Sequence, residues 1–233
     1  TPHSRGESSP IELIVPTEAE TLDPRYTIDS VGMRATRLVH AGLVRLDPKT
    51  LEPLPYLAES WNWEGDRTLH INLRRDIRFH SGAPFTAEDV AATIRSFGAP
   101  SIASRHAHVV EAIDRVAIED TQHLTIHLKR KRATLLTDLE LPIMRRDEAG
   151  ASPRSAGDFD GLGPFEIEKS TRGLITLRPA QNGIGPTPVH SVTLRTVRDE
   201  NARALRFIGD SADIIVNGFS PAMLDAMRDQ KGL

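Results

Sequence analysis

Alternation of apolar and polar residues with a period of two marks three stretches of this chain, and each predicts a β-hairpin. In the first, Trp61 and Trp63 share one face of an extended segment, and the alternation resumes at Leu69, Ile71 and Leu73 after the turn Glu64-Gly65-Asp66. The residues just before Trp61 carry a short acidic helix cue. Ile77 and Phe79 continue the alternation beyond Arg74-Arg75-Asp76, up to a turn at Ser81-Gly82-Ala83-Pro84. The second hairpin sets Val116 and Ile118 against Leu124, Ile126 and Leu128 across Glu119-Asp120-Thr121-Gln122, with Thr125 and His127 pointing the other way. Phe165 to Ser170 and Leu174 to Arg178, joined by Thr171-Arg172-Gly173, make the third.

Helical spacing separates these strands. Thr86 is an apt N-cap, Glu88 and Asp89 place negative charge in the first turn, and Phe85 can staple onto Val90. Val90, Ile94 and Phe97 then form one stripe, which Gly98 and Pro100 end. Nearer the N-terminus, a short strand over Ile11 to Val15 leads to Thr21-Leu22-Asp23-Pro24. Asp29 or Ser30 then caps a helix with Val31, Ala35, Leu38 and Gly42 on its core side and Met33, Arg37 and His40 on another. Leu43 to Thr50 reads as a strand leaving into a turn, and Leu135, Leu136 and Leu139 as a short helix ended by Leu141-Pro142. Ala149 to Asp160 is a loop by composition. Val189 to Val197 is a strand, Asp199 caps a helix through Ala202, Leu205 and Ile208, and Ala212 to Val216 reads as a buried strand before a last helix over Pro221 to Arg228.

Composition narrows the function class. The 233 residues, 26% charged and 39% apolar, suit an ordinary globular protein with a sizeable core. A formal net charge of −3 and a pI near 6.3 supply no general basic field, so a nucleic-acid partner is not expected. With no cysteine there is no disulfide, thiolate metal site or cysteine nucleophile. No apolar run approaches the ~20 residues needed to span a bilayer, and Thr1 to Pro10, polar and rich in Pro and Ser, reads as a flexible leader. No Gly-x-Ser-x-Gly elbow or His-Glu-x-x-His motif appears. His123 and His127 fall on an expected strand, where a four-residue step of about 13 Å is too long for two ligands of one ion. Asp158-Phe159-Asp160-Gly161 does not open a calcium loop, because the twelfth position is Lys169 where a glutamate is needed. No enzyme, metal site or cofactor is expected.

The order of these elements resembles the family 5 extracytoplasmic solute-binding proteins of ABC importers, which bind dipeptides, oligopeptides and nickel chelates. The resemblance rests on Leu57 to Trp61, Leu73-Arg74, Phe79 to Gly82 and Thr86 to Val90. Leu22-Asp23-Pro24, Gly161-Leu162-Gly163-Pro164-Phe165, Asn201 to Leu205, Gly209-Asp210 and Asp213-Ile214 extend it from Ile11 to about Arg228. It implies an α/β fold, a periplasmic-binding-protein-like lobe of the class II, cluster C type with a mixed sheet. Lobe I core is expected over 11–49 and 161–233, with a hairpin-rich subdomain inserted over 50–160. Because family members run to about twice this length, a second lobe is expected outside this chain.

The resemblance also implies a function and a site. The function is ligand capture outside the cytoplasm, with peptides as the leading expectation, for delivery to an ABC permease in the membrane. The alternatives are a receptor for nickel or another metal chelate, and a ligand-sensing module of a regulator. Tyr26 and Met33 match ligand-touching positions of the nickel-chelate binders, and His108 stands nearest to an aromatic that stacks on ligand. Ile143 aligns with an arginine that holds a carboxylate in some members, and Arg145 and Arg146 follow close behind as candidate anion clamps. Gly161 and Gly163 are expected at the cleft rim, where glycine permits unusual dihedrals. The tyrosine-tryptophan pair that commonly follows in the family is absent at Asn182 to Pro186.

Overall fold

The computed structural model describes residues 9–152, 159–216 and 218–231. Most of the expected leader and the middle of the Ala149 to Asp160 loop lie outside the described residues. In chain order the first half comprises β1 (Ile11–Val15), α1 (Ser30–Val39), β2 (Val44–Leu46), β3 (Pro53–Pro55), β4 (Ala58–Glu64), β5 (Thr68–Leu73) and α2 (Ala87–Gly98). Next come α3 (Ala107–Val110), β6 (Ile113–Ile118), β7 (His123–Leu128), α4 (Leu135–Asp138) and α5 (Arg146–Gly150). The remainder is β8 (Phe165–Thr171), β9 (Leu174–Pro179), β10 (Val192–Thr196), α6 (Glu200–Ile208), β11 (Ile214–Ile215) and α7 (Pro221–Lys231).

The strands form a mixed five-stranded sheet in the order β11-β1-β10-β9-β8, an antiparallel four-stranded sheet β4-β5-β7-β6, and the small pair β2-β3. In the mixed sheet β1 runs parallel to both β10 and β11, while β8, β9 and β10 are antiparallel. The expected α/β class with a mixed sheet is therefore present. Register in the four-stranded sheet follows the alternation closely. Trp61 lies opposite Ile71, which lies opposite Leu124, and Trp63 lies opposite Leu69, which lies opposite Ile126. A single apolar layer results, because residues two apart on a strand share a face. Trp61 and Trp63 are partly buried against the core, whereas Ser60, Asn62 and Glu64 face water.

Helix α2 starts where its capping residues place it. The Asp89 carboxylate accepts from the Thr86 backbone N–H at 2.9 Å and the Thr86 hydroxyl at 3.0 Å, and its other oxygen accepts from the Arg146 N–H at 3.0 Å. One buried side chain thus ties the start of α2 to the start of α5. The buried residues form one hydrophobic cluster that runs from Val15, Leu177 and Leu194 of the mixed sheet to Leu69, Ile71 and Ile126 of the antiparallel sheet.

Several local expectations give way to tertiary context. The acidic helix cue before Trp61 is instead the start of β4. Helix α5 forms across the onset of the expected loop. The run over Ala212 to Val216 contributes only the two-residue edge strand β11, whose Ile214 is 45% exposed. On α6, Arg203 and Ala204 face inward and Leu205 is 70% exposed. Helix α1, capped by Asp29, stops at Val39, so Gly42 lies beyond it, and the extended backbone at His40 turns that side chain into the core.

Candidate functional site

The Leu22-Asp23-Pro24 turn is built around a buried ion pair. The Arg25 guanidinium donates to both Asp23 carboxylate oxygens, at 2.9 and 2.7 Å, and both residues are fully buried. Its remaining nitrogen donates to the Ser96 hydroxyl at 3.3 Å and to the carbonyls of Ala149 and Ala151 at 3.2 and 2.9 Å. The Arg25 carbonyl accepts from the Ser104 hydroxyl and the Arg105 N–H. Desolvation opposes the buried charge, and the Asp23 contact more than offsets it, so the Arg25 pKa ends above its ordinary value. One arginine therefore joins the loop before α1, helix α2, the end of α5 and the 101–106 loop.

Beside this knot lies a cavity of about 270 Å³, walled by Met33, Thr36 and Arg37 of α1, by Pro24 and Thr27 of the turn, by His106 and by the 137–142 segment. Met33, Thr36 and Arg37 stand at positions i, i+3 and i+4, which share one side of a helix. The His106 ring donates from Nε2 to the Thr27 carbonyl at 2.7 Å, which leaves Nδ1 an acceptor in the neutral ring. The Thr36 hydroxyl is buried and has no hydrogen-bond partner among the described residues. The polar side chains of the wall, Arg37, His106 and Glu140, suit a small ligand that brings its own donors and acceptors.

The sequence-derived candidates are distributed among several places, and only Met33 lines this cavity. Tyr26 adjoins the Arg25 knot and donates its hydroxyl to the Ile102 carbonyl, pinning the 101–103 turn. Burial pushes its phenol pKa up, and Arg25 opposes that shift. His108, on α3, faces a separate groove with Arg95 and Gly98, and His106, the residue before that helix, takes the place beside Met33. Ile143 is 1% exposed; its N–H donates to the Ala41 carbonyl at 2.9 Å and its carbonyl faces the His40 ring.

Arg145 and Arg146 line a third cavity with Pro84 and Thr86. Arg145 makes a two-pronged contact with Asp147, at 2.7 and 2.6 Å, and a further one with Asp160 at 2.7 Å. The Asp147 contact raises the arginine pKa and holds the Asp147 carboxyl below its usual range. Arg146 pairs with Glu88. An external anion at Arg145 would have to displace one of two carboxylates.

Gly161 and Gly163 are required by close backbone approach and not by unusual dihedrals. Neither has a positive φ. A Cβ on Gly161 would sit 1.9 Å from the Val39 carbonyl oxygen, and one on Gly163 would sit 2.4 Å from that of Leu38. These glycines let the 161–163 backbone press directly on the C-terminal end of α1, where the Gly163 N–H donates to the Val39 carbonyl at 2.8 Å. The contact positions the helix that carries Met33, Thr36 and Arg37. Behind it, His40 is buried with no partner for Nε2 among the described residues, and His80 donates from Nε2 to the Gly163 carbonyl at 2.9 Å. Burial lowers both imidazole pKa values, that of His40 to about 4.

His106, Thr36 and the 137–142 wall are not among the sequence-derived candidates. Helical spacing from Met33 is enough to find Thr36. Nothing local points to His106 or Glu140, which reach the cavity through long-range packing.

The mixed-sheet topology, and its superposition on solved solute-binding proteins, define the class: a periplasmic-binding-protein-like α/β fold. The chain belongs to the bacterial extracellular solute-binding proteins, family 5, whose middle region matches residues 52–233. Among curated relatives, it is 25% identical over 202 residues to the glutathione-binding protein GsiB of Salmonella choleraesuis, covering 83% of this chain and 39% of that protein. The crystal structure of NikZ from Campylobacter jejuni in complex with Ni(L-His) superposes with a TM-score of 0.84 at 22% identity, over 95% of this chain and 45% of that one. DppA from Helicobacter pylori in complex with the peptide STSA superposes with a TM-score of 0.83 at 21% identity, over 97% and 49% of the two chains. The chain thus spans less than half the length of these relatives. The family is one of substrate-binding proteins and not of enzymes. No helix among the described residues is long and apolar enough to cross a membrane.

Proposed function

We propose that this chain supplies one ligand-binding lobe of the solute receptor of an ABC importer, and that its ligand is a peptide. In this reading residues 11–49 and 161–233 form the lobe core, residues 50–160 an inserted subdomain, and a second lobe closes over the ligand. Capture is by closure: ligand that touches both lobes stabilises the closed arrangement, and a permease in the membrane recognises it. The protein works outside the cytoplasm, in the periplasm or its equivalent.

The observation that carries this reading is the cavity beside Met33, in a chain whose family is established. Its wall pairs an adaptable thioether with an imidazole acceptor and side chains of both charges. Such a wall suits a ligand with amide groups and charged ends better than a sugar. The peptide complex of DppA and the glutathione-binding relative support the choice. A metal-chelate ligand is the second reading, favoured by the NikZ complex.

A thermal-shift screen of dipeptides, oligopeptides, nickel–histidine chelates and sugars tests the proposal. Peptides are expected to raise the melting temperature, and Met33→Glu to abolish the shift. Stabilisation by sugars alone would overturn the reading. Stabilisation by the chelate without peptides would select the second one.

A further inference from the structure

The cavity wall carries an ion pair with an unusual setting. Arg37 on α1 and Glu140 after α4 meet through one long contact, 3.6 Å from guanidinium nitrogen to carboxylate oxygen, with the side chains 66% and 35% exposed. Both backbones are held firmly. Asp29 caps α1 through the N–H groups of Val31 and Gly32, at 3.1 and 2.7 Å. On the other side, the Leu43 N–H donates to the Leu139 carbonyl and the Ile143 N–H to the Ala41 carbonyl, each at 2.9 Å. Between them, Gly42 packs so tightly on Glu140 that a Cβ there would lie 2.6 Å from the Glu140 carbonyl oxygen. The two charges therefore project from fixed walls across a gap that their side chains bridge only loosely.

The other polar groups of the wall are differently committed. Asp138 is held by Arg132 and by the Thr134 hydroxyl. His106 spends its ring N–H on Thr27. Arg37 and Glu140 are thus the charged groups of this wall that can exchange partners at little cost, since a loose, exposed ion pair contributes little by itself.

We propose that Arg37 and Glu140 read the two charges of a small zwitterion, an amino acid or dipeptide. The ligand's carboxylate replaces Glu140 on Arg37, and its ammonium replaces Arg37 on Glu140. This inference rests on the solute-capture reading and adds to it the charge pattern of the ligand and the two residues that select it. The exchange conserves charge pairing, with two new contacts formed for one lost. A singly charged ligand forms one contact and leaves the other side chain facing it without a partner, and for an anion that side chain is the repelling Glu140. The cavity of about 270 Å³ on this wall accommodates a ligand of this size.

The test is an NMR titration of the 233-residue chain, whose millimolar range detects binding by one wall alone. The probes are alanylalanine, its N-acetyl derivative, its C-terminal amide and the nickel–histidine chelate. They are added to the wild type, Arg37→Gln and Glu140→Gln. Arg37→Gln is expected to weaken alanylalanine and its N-acetyl form about tenfold and to leave the amide unchanged. Glu140→Gln is expected to weaken alanylalanine and the amide by a similar factor and to spare the N-acetyl form. Equal losses for all three peptide probes, or no loss in either variant, would overturn the inference while leaving the cavity as the ligand site. Shifts in residues 33–37 and 137–142 of the wild type caused by the chelate alone would also overturn it and leave solute capture standing. If no probe moves these residues, the inference falls together with the proposed function.

Discussion

His40 offers the sharpest check on how the core beneath the cavity is held. Its side chain is 3% exposed, packs edge-on to Phe159 at 6.0 Å, donates weakly from Nδ1 to the Ile143 carbonyl at 3.4 Å and has no partner for Nε2 among the described residues. Desolvation, opposed by that carbonyl, lowers its pKa to about 4. In the unfolded chain an imidazole titrates near its ordinary value of about 6.5. As pH falls below that value, the unfolded chain takes up a proton that the folded chain refuses. Stability fully present above pH ~6.5 is then lost progressively down to the folded pKa, at up to about 1.4 kcal/mol per pH unit. Between pH ~7.5 and ~5.5 the loss works out at about 1.4 kcal/mol, and by pH ~4.5 at about 2.5 kcal/mol. His80, lowered by burial, acts in the same direction, whereas Asp89, raised by burial, acts in the opposite one. Urea unfolding of the wild type and of His40→Gln across this range isolates the His40 share as the difference between their pH slopes. Should the His40→Gln variant fail to fold, the His40 ring resonances of the wild type serve instead. Parallel pH slopes in the two proteins, or a His40 ring that titrates near pH ~6.5 in the folded state, would refute the argument.

Three further predictions concern the supports of the cavity. Gly161→Ala is expected to destabilise by about 3 kcal/mol or more, because its Cβ meets backbone and not a movable side chain; denaturant midpoints measure this, and a near-neutral result would mean that α1 and the 161–163 segment do not touch as described. Arg25→Met is expected to destabilise by about 3 kcal/mol by removing the guanidinium from the buried Asp23 carboxylate, with part of the loss recovered in the Asp23→Leu, Arg25→Met double variant; an additive double-mutant cycle would count against the pairing. Trp61→Ala, at a partly buried position, is expected to cost about 1–3 kcal/mol, less than the ~3–5 kcal/mol of a fully buried aromatic, and a loss near the upper figure would indicate tighter packing under β4 than its exposure implies.

Where the chain's own chemistry is local, the sequence was enough. Period-two alternation located the three hairpins, and side chains that bond to their own neighbours, as at Asp29, Thr86 and Asp199, located three helix starts. The ordered string of short motifs pointed to the family. What depended on distant segments was hidden. Met33 was found by its helix and family position, yet the wall it joins comes from His106 and Glu140, more than seventy residues away in sequence. The arginines read as candidate anion clamps are paired with Asp147, Asp160 and Glu88, and the Asp160 and Glu88 contacts come from segments brought together by the fold. The glycines of the Gly-x-Gly-Pro segment were legible as a backbone requirement, but not as the right one. A sequence shows that a Cβ is excluded; only the packed structure shows that the Val39 and Leu38 carbonyls of α1 are what exclude it. His40 makes the same point for electrostatics, because a single extended residue after α1 turns a side chain that helical spacing groups with Met33 and Arg37 into the best-buried imidazole of the described residues.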